Sequence, residues 1–340
     1  MRAIYILDYS NKLYEPVVDF NDPITGEGRT GVASPQHPES VSAFAQWAAA
    51  AVNHFRGDDI VWEIWNEPNV SFWRPEPDVE QYITLAATTV KAIREFVPDA
   101  IIIGPATSRI PLPFIEKYLA SGAMEYLDGV SVHPCRDYSL SPETVNADYS
   151  ELRGLMGRYA TSRKYIPVIS SEWGYASATK GISLEKQAEF LVRMQLANLL
   201  YGIPVSIWYD WKNDGDQPGN FEHNCGTVTS RLGPKPAYIA AKTMNMELEG
   251  YTLSHRIDLQ NDGDFVLVFH DKKGRHKLAA WTMDTAHSVV IPVKIPHAVG
   301  AAGVDGYGNE LELKTDNGRL VLELKTLPQY VGLVKGIRMN

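Results

Sequence analysis

The sequence predicts an α/β domain followed by a small antiparallel β domain, and three observations carry that reading. Up to about residue 248, short β-branched runs alternate with longer amphipathic segments, the pattern of repeated strand–helix units around a parallel sheet. From Glu249 the helical period gives way to short alternating segments separated by turn signals. The chain has 340 residues, 44% hydrophobic and 21% charged, enough to bury a core without disulfides or a structural metal.

The expected strands of the first part are Ala3 to Asp8, Val61 to Asn66, Ala100 to Gly104, Gly129 to His133, Pro167 to Ser171 and Val205 to Asp210. The expected helices are Glu39 to Phe55, Val79 to Phe96, Leu112 to Ser121, Tyr149 to Tyr159, Leu184 to Tyr201 and Ala237 to Leu248. Each strand is followed by a helix, as a TIM-barrel-like domain requires, although only six strands are recognisable and the barrel is expected to be incomplete. Asp78 is placed to cap the helix that begins at Val79, and Ser183 with Lys186 makes a partial capping box. Asn21 to Pro38 and Lys212 to Pro236, rich in Gly, Pro and polar residues, read as irregular loops. Beyond 248, Phe265 to Phe269, Leu278 to Trp281, Ser288 to Val293 and Leu320 to Leu324 alternate between turns such as Asn261-Asp262-Gly263 and Asp316-Asn317-Gly318. Residues 1–248 are thus read as a (β/α)-barrel-like domain and 249–340 as a small β-sandwich.

The net charge of −9 argues against nucleic acid or an anionic membrane as partner, because both would repel such a chain. Eight Trp and 17 Tyr supply flat amphipathic rings of the kind that stack on sugars, although the same rings serve core packing. Cys135 and Cys225 match no zinc or redox spacing, so free thiols are expected. The first residues carry no apolar signal-peptide core, which reads as cytoplasmic, although a processed secretory form would look the same.

The most informative segment is Val61-Trp62-Glu63-Ile64-Trp65-Asn66-Glu67-Pro68-Asn69, an apolar strand that Pro68 should end directly after Glu67. Glu67 is therefore expected at the C-terminal mouth of a strand, where parallel barrels hold reactive side chains. Pro167 to Tyr175 repeats the arrangement, delivering Glu172 at its end with Trp173 and Tyr175 beyond. Two carboxylates at one mouth, one protonated and one ionised, are what hydrolysis of a glycosidic bond with retention needs.

On these residues the chain resembles clan GH-A of the retaining glycoside hydrolases. The resemblance is closest to glycoside hydrolase family 39 and its neighbours in family 5, through Trp65-Asn66-Glu67-Pro68-Asn69, Ser171-Glu172-Trp173-Gly174 and Trp208-Tyr209-Asp210-Trp211. It implies that Glu67 is the acid/base, Glu172 the nucleophile, and Asn66 a partner of the sugar 2-hydroxyl. Trp208 would resemble the aromatic platform ending strand eight, and Trp173 would contact substrate. The two glutamates fall three strands apart, as the fourth and seventh strands of the clan do.

Weaker expectations attach to other residues. His133 could contact the nucleophile or a sugar hydroxyl, or be a hydrogen-bonded structural histidine. Asp8, with Tyr9, is placed to line the site from the end of the first strand. Glu63 should lie deeper on the same strand, in a structural ion pair. Asp210 and Asp214 lack a second cluster with hard-cation spacing, so no metal and no cofactor is expected.

If Glu67 ends strand four, the clan's first two strand–helix units have no counterpart here, nor does the arginine that strand two contributes near the nucleophile. Open sheet edges would then favour at least a homodimer. The sequence thus points to a retaining O-glycoside hydrolase acting on a β-linked saccharide or glycoside. Its alternative is a carbohydrate-binding or inactive descendant of such an enzyme.

Overall fold

Strand and helix alternate along most of the chain, and the computed structural model describes residues 2–22, 26–160, 165–294 and 302–333. In order come β1 (Ala3–Leu7), β2 (Val17–Asn21), β3 (Gly28–Val32), α1 (Pro38–His54), β4 (Ile60–Ile64), α2 (Val79–Phe96), β5 (Ile101–Ser108) and α3 (Leu112–Ala120). Then follow β6 (Gly129–His133), α4 (Val145–Tyr159), β7 (Val168–Trp173), α5 (Leu184–Leu200), β8 (Ser206–Trp208) and α6 (Pro236–Leu248). The antiparallel strands are β9 (Tyr251–Ile257), β10 (Asp264–Asp271), β11 (His276–Thr282), β12 (His287–Lys294), β13 (Ala302–Val304), β14 (Glu310–Leu311), β15 (Lys314–Asp316), β16 (Arg319–Leu324) and β17 (Gln329–Leu333).

The chain divides into two compact units. The first holds Met1–Arg136, Val145–Trp173 and Ile203–Ile207, and the second Asp137–Thr144, Gly174–Gly202 and Trp208–Asn340. The first unit is built on a six-stranded sheet in the order β1-β4-β5-β6-β7-β8, with its registered pairs running parallel. This is the expected barrel-like sheet with six strands, and among the described residues its edge strands β1 and β8 pair on one side only. Helix α1 buries Val41, Phe44, Ala45, Ala48 and Val52, which recur at helical spacing, and α2 buries Tyr82, Leu85, Ala86, Thr89 and Ile93 likewise. Asp78 caps α2 by accepting from the amides of Glu80 and Gln81, as its sequence position predicts.

Two local expectations need correction. The stretch from Asn21 to Pro38 is not wholly irregular, because β2 and β3 form a hairpin that pairs Val17 with Val32 and Phe20 with Arg29. Its residues are mostly exposed, so the apolar alternation that betrays a half-buried strand is missing. Strand β4 ends at Ile64, not beside Pro68, because Trp65 turns the backbone into the left-handed region at φ 65°.

In the second unit, β10 reads Asp264-Phe265-Val266-Leu267-Val268-Phe269 and is buried almost throughout. The strand has two apolar faces. Val266 and Val268 pack with Leu278, Ala280, Ile291, Val293, Leu320 and Leu322 between the six-stranded sheet β14-β13-β17-β11-β10-β9 and the sheet β12-β16-β15. Phe265, Leu267 and Phe269 pack the other way, with Ala279, Trp281 and Tyr330, against Ala188, Leu191, Val192 and Leu196 of α5 and Ala237 and Ala240 of α6. The antiparallel sheets thus form the expected sandwich, and α5 and α6 belong to the same compact unit. Glu143 accepts from Arg193 Nε at 2.7 Å and Nη2 at 2.8 Å and from Trp281 Nε1 at 2.7 Å inside this unit. Among the described residues, no helix is long and apolar enough to cross a membrane.

Candidate active site

Parallel strands deliver their C-terminal ends to one side of a sheet, so residues that close β4, β6 and β7 can converge. Glu67, His133 and Glu172 do so: a donor atom from each lies within 4.8 Å of the other two. His133 Nδ1 is 2.9 Å from Glu67 Oε1 and 3.9 Å from Glu172 Oε2. All three residues lie in the first unit.

The approach to Glu67 is strained. Trp65 and Glu67 both adopt positive φ, 65° and 45°, a region that residues other than glycine rarely occupy and that clusters at functional sites. The bend is held by the Glu67 amide donating to Ala106 O at 3.0 Å and by Trp65 Nε1 donating to Phe72 O at 3.2 Å. Glu172 sits within β7 itself and keeps 30% of its side chain exposed, against 13% for Glu67 and 1% for His133. Substrate can therefore reach the carboxylates but not the imidazole. His133 is held from behind, its carbonyl accepting from the amides of Arg109 and Cys135.

Burial alone would lower the His133 pKa. The hydrogen bond to Glu67 and the charges of Glu172, Glu63 and Glu67 outweigh it, so the imidazole is raised above its ordinary value. Asp8, half-buried at the end of β1, is pushed up to about 6 by burial, with Glu63 adding to the rise and a hydrogen bond from Tyr9 opposing it. Tyr9 is raised to about 12, first by burial and then by the Asp8 charge. Asn66 Nδ2 donates to Tyr9 Oη at 3.2 Å, while Asn66 Oδ1 is buried without a partner. Asp8 and Tyr9 also line a cleft of about 820 Å³ with Asn11, Tyr14 and Trp47.

Several sequence expectations change at this level. His133 is fully buried and faces two carboxylates, so it is not a direct sugar contact. Trp173 is 0% exposed and offers no ring face to a ligand. Trp208 ends β8 and is half-buried, its Nε1 donating to Cys225 O at 3.1 Å and its ring 6.3 Å from that of Tyr175. Among the described residues Glu63 is in no ion pair with a lysine or arginine: burial first, then His133, Ser131 and Ser171, act on its carboxyl. Sequence reading missed this polar floor because serines on neighbouring strands carry no signal until the sheet order joins them. Glu67, His133 and Glu172 are also the group whose donor spacing would suit a metal ion among the described residues.

With that geometry in view, comparison with known proteins is decisive. The model of the cellulase family, glycosyl hydrolase family 5, matches residues 6–215, a span that includes Glu67, His133 and Glu172. The chain belongs to this family. Among solved structures, the family 5 chain is similar to a family 39 glycoside hydrolase from the gut symbiont Bacteroides cellulosilyticus WH2, with 28% identity and a TM-score of 0.77. That match covers 88% of this chain and 63% of the other, so the chain spans less than two thirds of that relative's length. It is similar in fold to a family 39 β-xylosidase from Caulobacter crescentus, at 16% identity and TM-score 0.62, covering 89% of this chain and 74% of that one. It is similar in fold also to a family 51 arabinofuranosidase from Xanthomonas axonopodis pv. citri, at 11% identity and TM-score 0.60, covering 88% and 73%. No curated protein matches the sequence. The resemblance to clan GH-A that the two glutamate motifs carry is thus met in both family and fold.

Proposed function

We propose that the chain is a retaining O-glycoside hydrolase for β-linked sugars, with Glu172 as nucleophile and Glu67 as general acid/base. The observation that carries this reading is the approach of the two carboxylates, whose donor atoms lie within 4.8 Å of each other and of His133. Retaining enzymes hold their carboxyl groups about 5–5.5 Å apart, whereas inverting ones need about 6.5–9.5 Å to admit a water.

In the first step a Glu172 carboxylate oxygen attacks the anomeric carbon as the glycosidic C–O bond breaks. The departing oxygen takes the proton of Glu67, leaving a glycosyl ester on Glu172 and an alcohol. In the second step ionised Glu67 takes a proton from water, whose oxygen displaces Glu172 from the same carbon and restores both groups. Asn66 is assigned to the sugar 2-hydroxyl, supported by its unpartnered buried Oδ1. Asp8 and Tyr9 extend the sugar-binding wall along the cleft. We assign the exposed edge near β1, where Tyr5 is 44% and Ile6 39% exposed, to contact between two copies of the chain.

A panel of aryl β-glycosides tests the function. Turnover should be lost in Glu172→Gln, and a 2-deoxy-2-fluoro glycoside should label Glu172. Sugar binding without turnover in the unmodified protein would instead support the carbohydrate-binding reading, and loss of turnover on chelation would support a metal at the same three residues.

A further inference from the structure

Alternate residues of a strand share one face, so the interior of the first unit can be read in levels. The lowest is apolar, with Val61, Ile103 and Ile169 packed against Ile4, Ile101 and Val205. Two residues further along β4, β6 and β7 stand Glu63, Ser131 and Ser171, all buried. Two residues beyond Ser131 is His133. A polar floor thus separates the apolar plug from the paired carboxylates.

Three buried polar atoms in this stack make no hydrogen bond, to one another included: Glu63 Oε1, Ser171 Oγ and His133 Nε2. A buried polar group left unpaired costs about 1–3 kcal/mol, so such orphans are few in a folded protein and call for a reason. The charges of Glu63 and His133 act on each other. The other groups around His133 are already placed, since Nδ1 engages Glu67 and approaches Glu172. Around Glu63, Asp8 and Tyr82 add only charge repulsion, and Tyr82 Oη donates elsewhere, to Ile64 O at 3.0 Å.

We propose that Glu63 is a positioning residue for the reaction: its orphaned carboxyl closes onto the orphaned Nε2 of His133 during turnover and so holds the ring with Nδ1 toward Glu67. This deepens the glycosidase reading and rests on it. Which nitrogen of an imidazole carries its proton is set by the bond that the other nitrogen makes. A carboxylic acid is both donor and acceptor. It can donate to Nε2 when the ring is neutral and accept from Nε2–H when the ring is charged. In both states Nδ1 keeps its proton for Glu67, so the acid/base is held in place while its charge changes during turnover. Burial favours the uncharged carboxyl that this role uses, although the His133 charge and then Ser131 and Ser171 offset part of the effect.

The test uses the whole chain labelled with 15N-histidine, and His133 is assigned by comparison with His133→Gln. At a pH high enough to leave the ring neutral, wild type should show the Nδ1–H tautomer. Glu63→Gln, which keeps both donor and acceptor, should retain that tautomer and stay within about threefold of wild-type kcat, with the Nε2 resonance moved because an amide replaces an acid beside it. Glu63→Leu should shift the ring toward the Nε2–H tautomer and lower kcat by about 10- to 100-fold with KM within about twofold, the usual scale for removing a histidine's outer partner. An Nε2–H tautomer in wild type, an unmoved Nε2 resonance in Glu63→Gln, or wild-type tautomer and kcat in Glu63→Leu would each overturn the proposal. If Glu63→Leu fails to fold, the first two measurements still decide. If wild type turns over no glycoside, the functional reading falls while the tautomer result still judges Glu63.

Discussion

A carboxyl group taken partly out of water near a second acid holds its proton to higher pH, and Asp8 is in that position, raised from 3.8 to about 6. The folded state therefore binds this proton more tightly than the unfolded chain does. Its contribution to stability is fully present below pH 3.8 and is lost as the pH rises through about 6. Asp8→Asn, neutral throughout, should raise the unfolding free energy measured in urea at pH 7.5 by on the order of 1 kcal/mol after solvent screening, and leave it unchanged near pH 3.5. An equal gain at both pH values would refute this account. The acid/base assignment has its own residue-level test. Glu67→Ala should slow substrates with poor leaving groups by about 10²- to 10⁴-fold, spare activated aryl glycosides in the glycosylation step, and respond to azide, which replaces the water that Glu67 would activate. Equal losses on both substrates would remove Glu67 from that role. At this scale Glu67 and Glu172 were legible in the sequence because each ends a recognisable apolar run. The positive φ of Trp65, which swings Glu67 into place, was not, since no residue preference announces it.

At the level of elements, the helices and parallel strands were readable from their periods, and α2 begins where Asp78 caps it. The hairpin β2–β3 escaped because its glycines and exposed positions carry little apolar alternation. Strand β10 was legible as a strand, yet its run from Phe265 to Phe269 hides which residues face which layer, and only the packing of both faces resolves that. Joining these elements is Glu143, nearly fully buried, which accepts from both Arg193 and Trp281. Removing one member of a buried charged pair strands the other, at about 3–5 kcal/mol. Glu143→Ala should therefore lower stability by that amount in chemical denaturation, whereas a paired replacement of Glu143 and Arg193 by apolar residues of similar volume should recover most of it. A loss below about 1 kcal/mol in the single variant would show that the pair is not an isolated buried charge.

For the whole molecule, the sequence carried the order of parts better than their grouping. The six parallel strands appear in the expected succession, and among the described residues the sheet has two edges. Along the β1 side, Tyr5, Ile6 and Phe55 remain exposed, with the Tyr5 and Phe55 rings 5.8 Å apart beside the strand's unpaired edge. Light scattering at micromolar concentration should find at least a dimer, and Ile6→Lys should shift it toward monomer. A stable monomeric wild type would instead mean that the edge is tolerated in water.

The two-faced packing of β10 also bears on how this protein can be taken apart. A cut after residue 248 follows the change in sequence rhythm, but it strips α5 and α6 of the aromatic surface made by Phe265, Phe269, Trp281 and Tyr330. A fragment ending there would present Ala188, Leu191, Leu196 and Ala240 to solvent and should be recovered as aggregate. The sandwich is therefore poor material for domain exchange by sequence boundary. A chimaera should carry Asp137–Thr144 with Glu143, Gly174–Gly202 and the chain from Trp208 onward as one inherited block, with its seams where the compact units themselves divide.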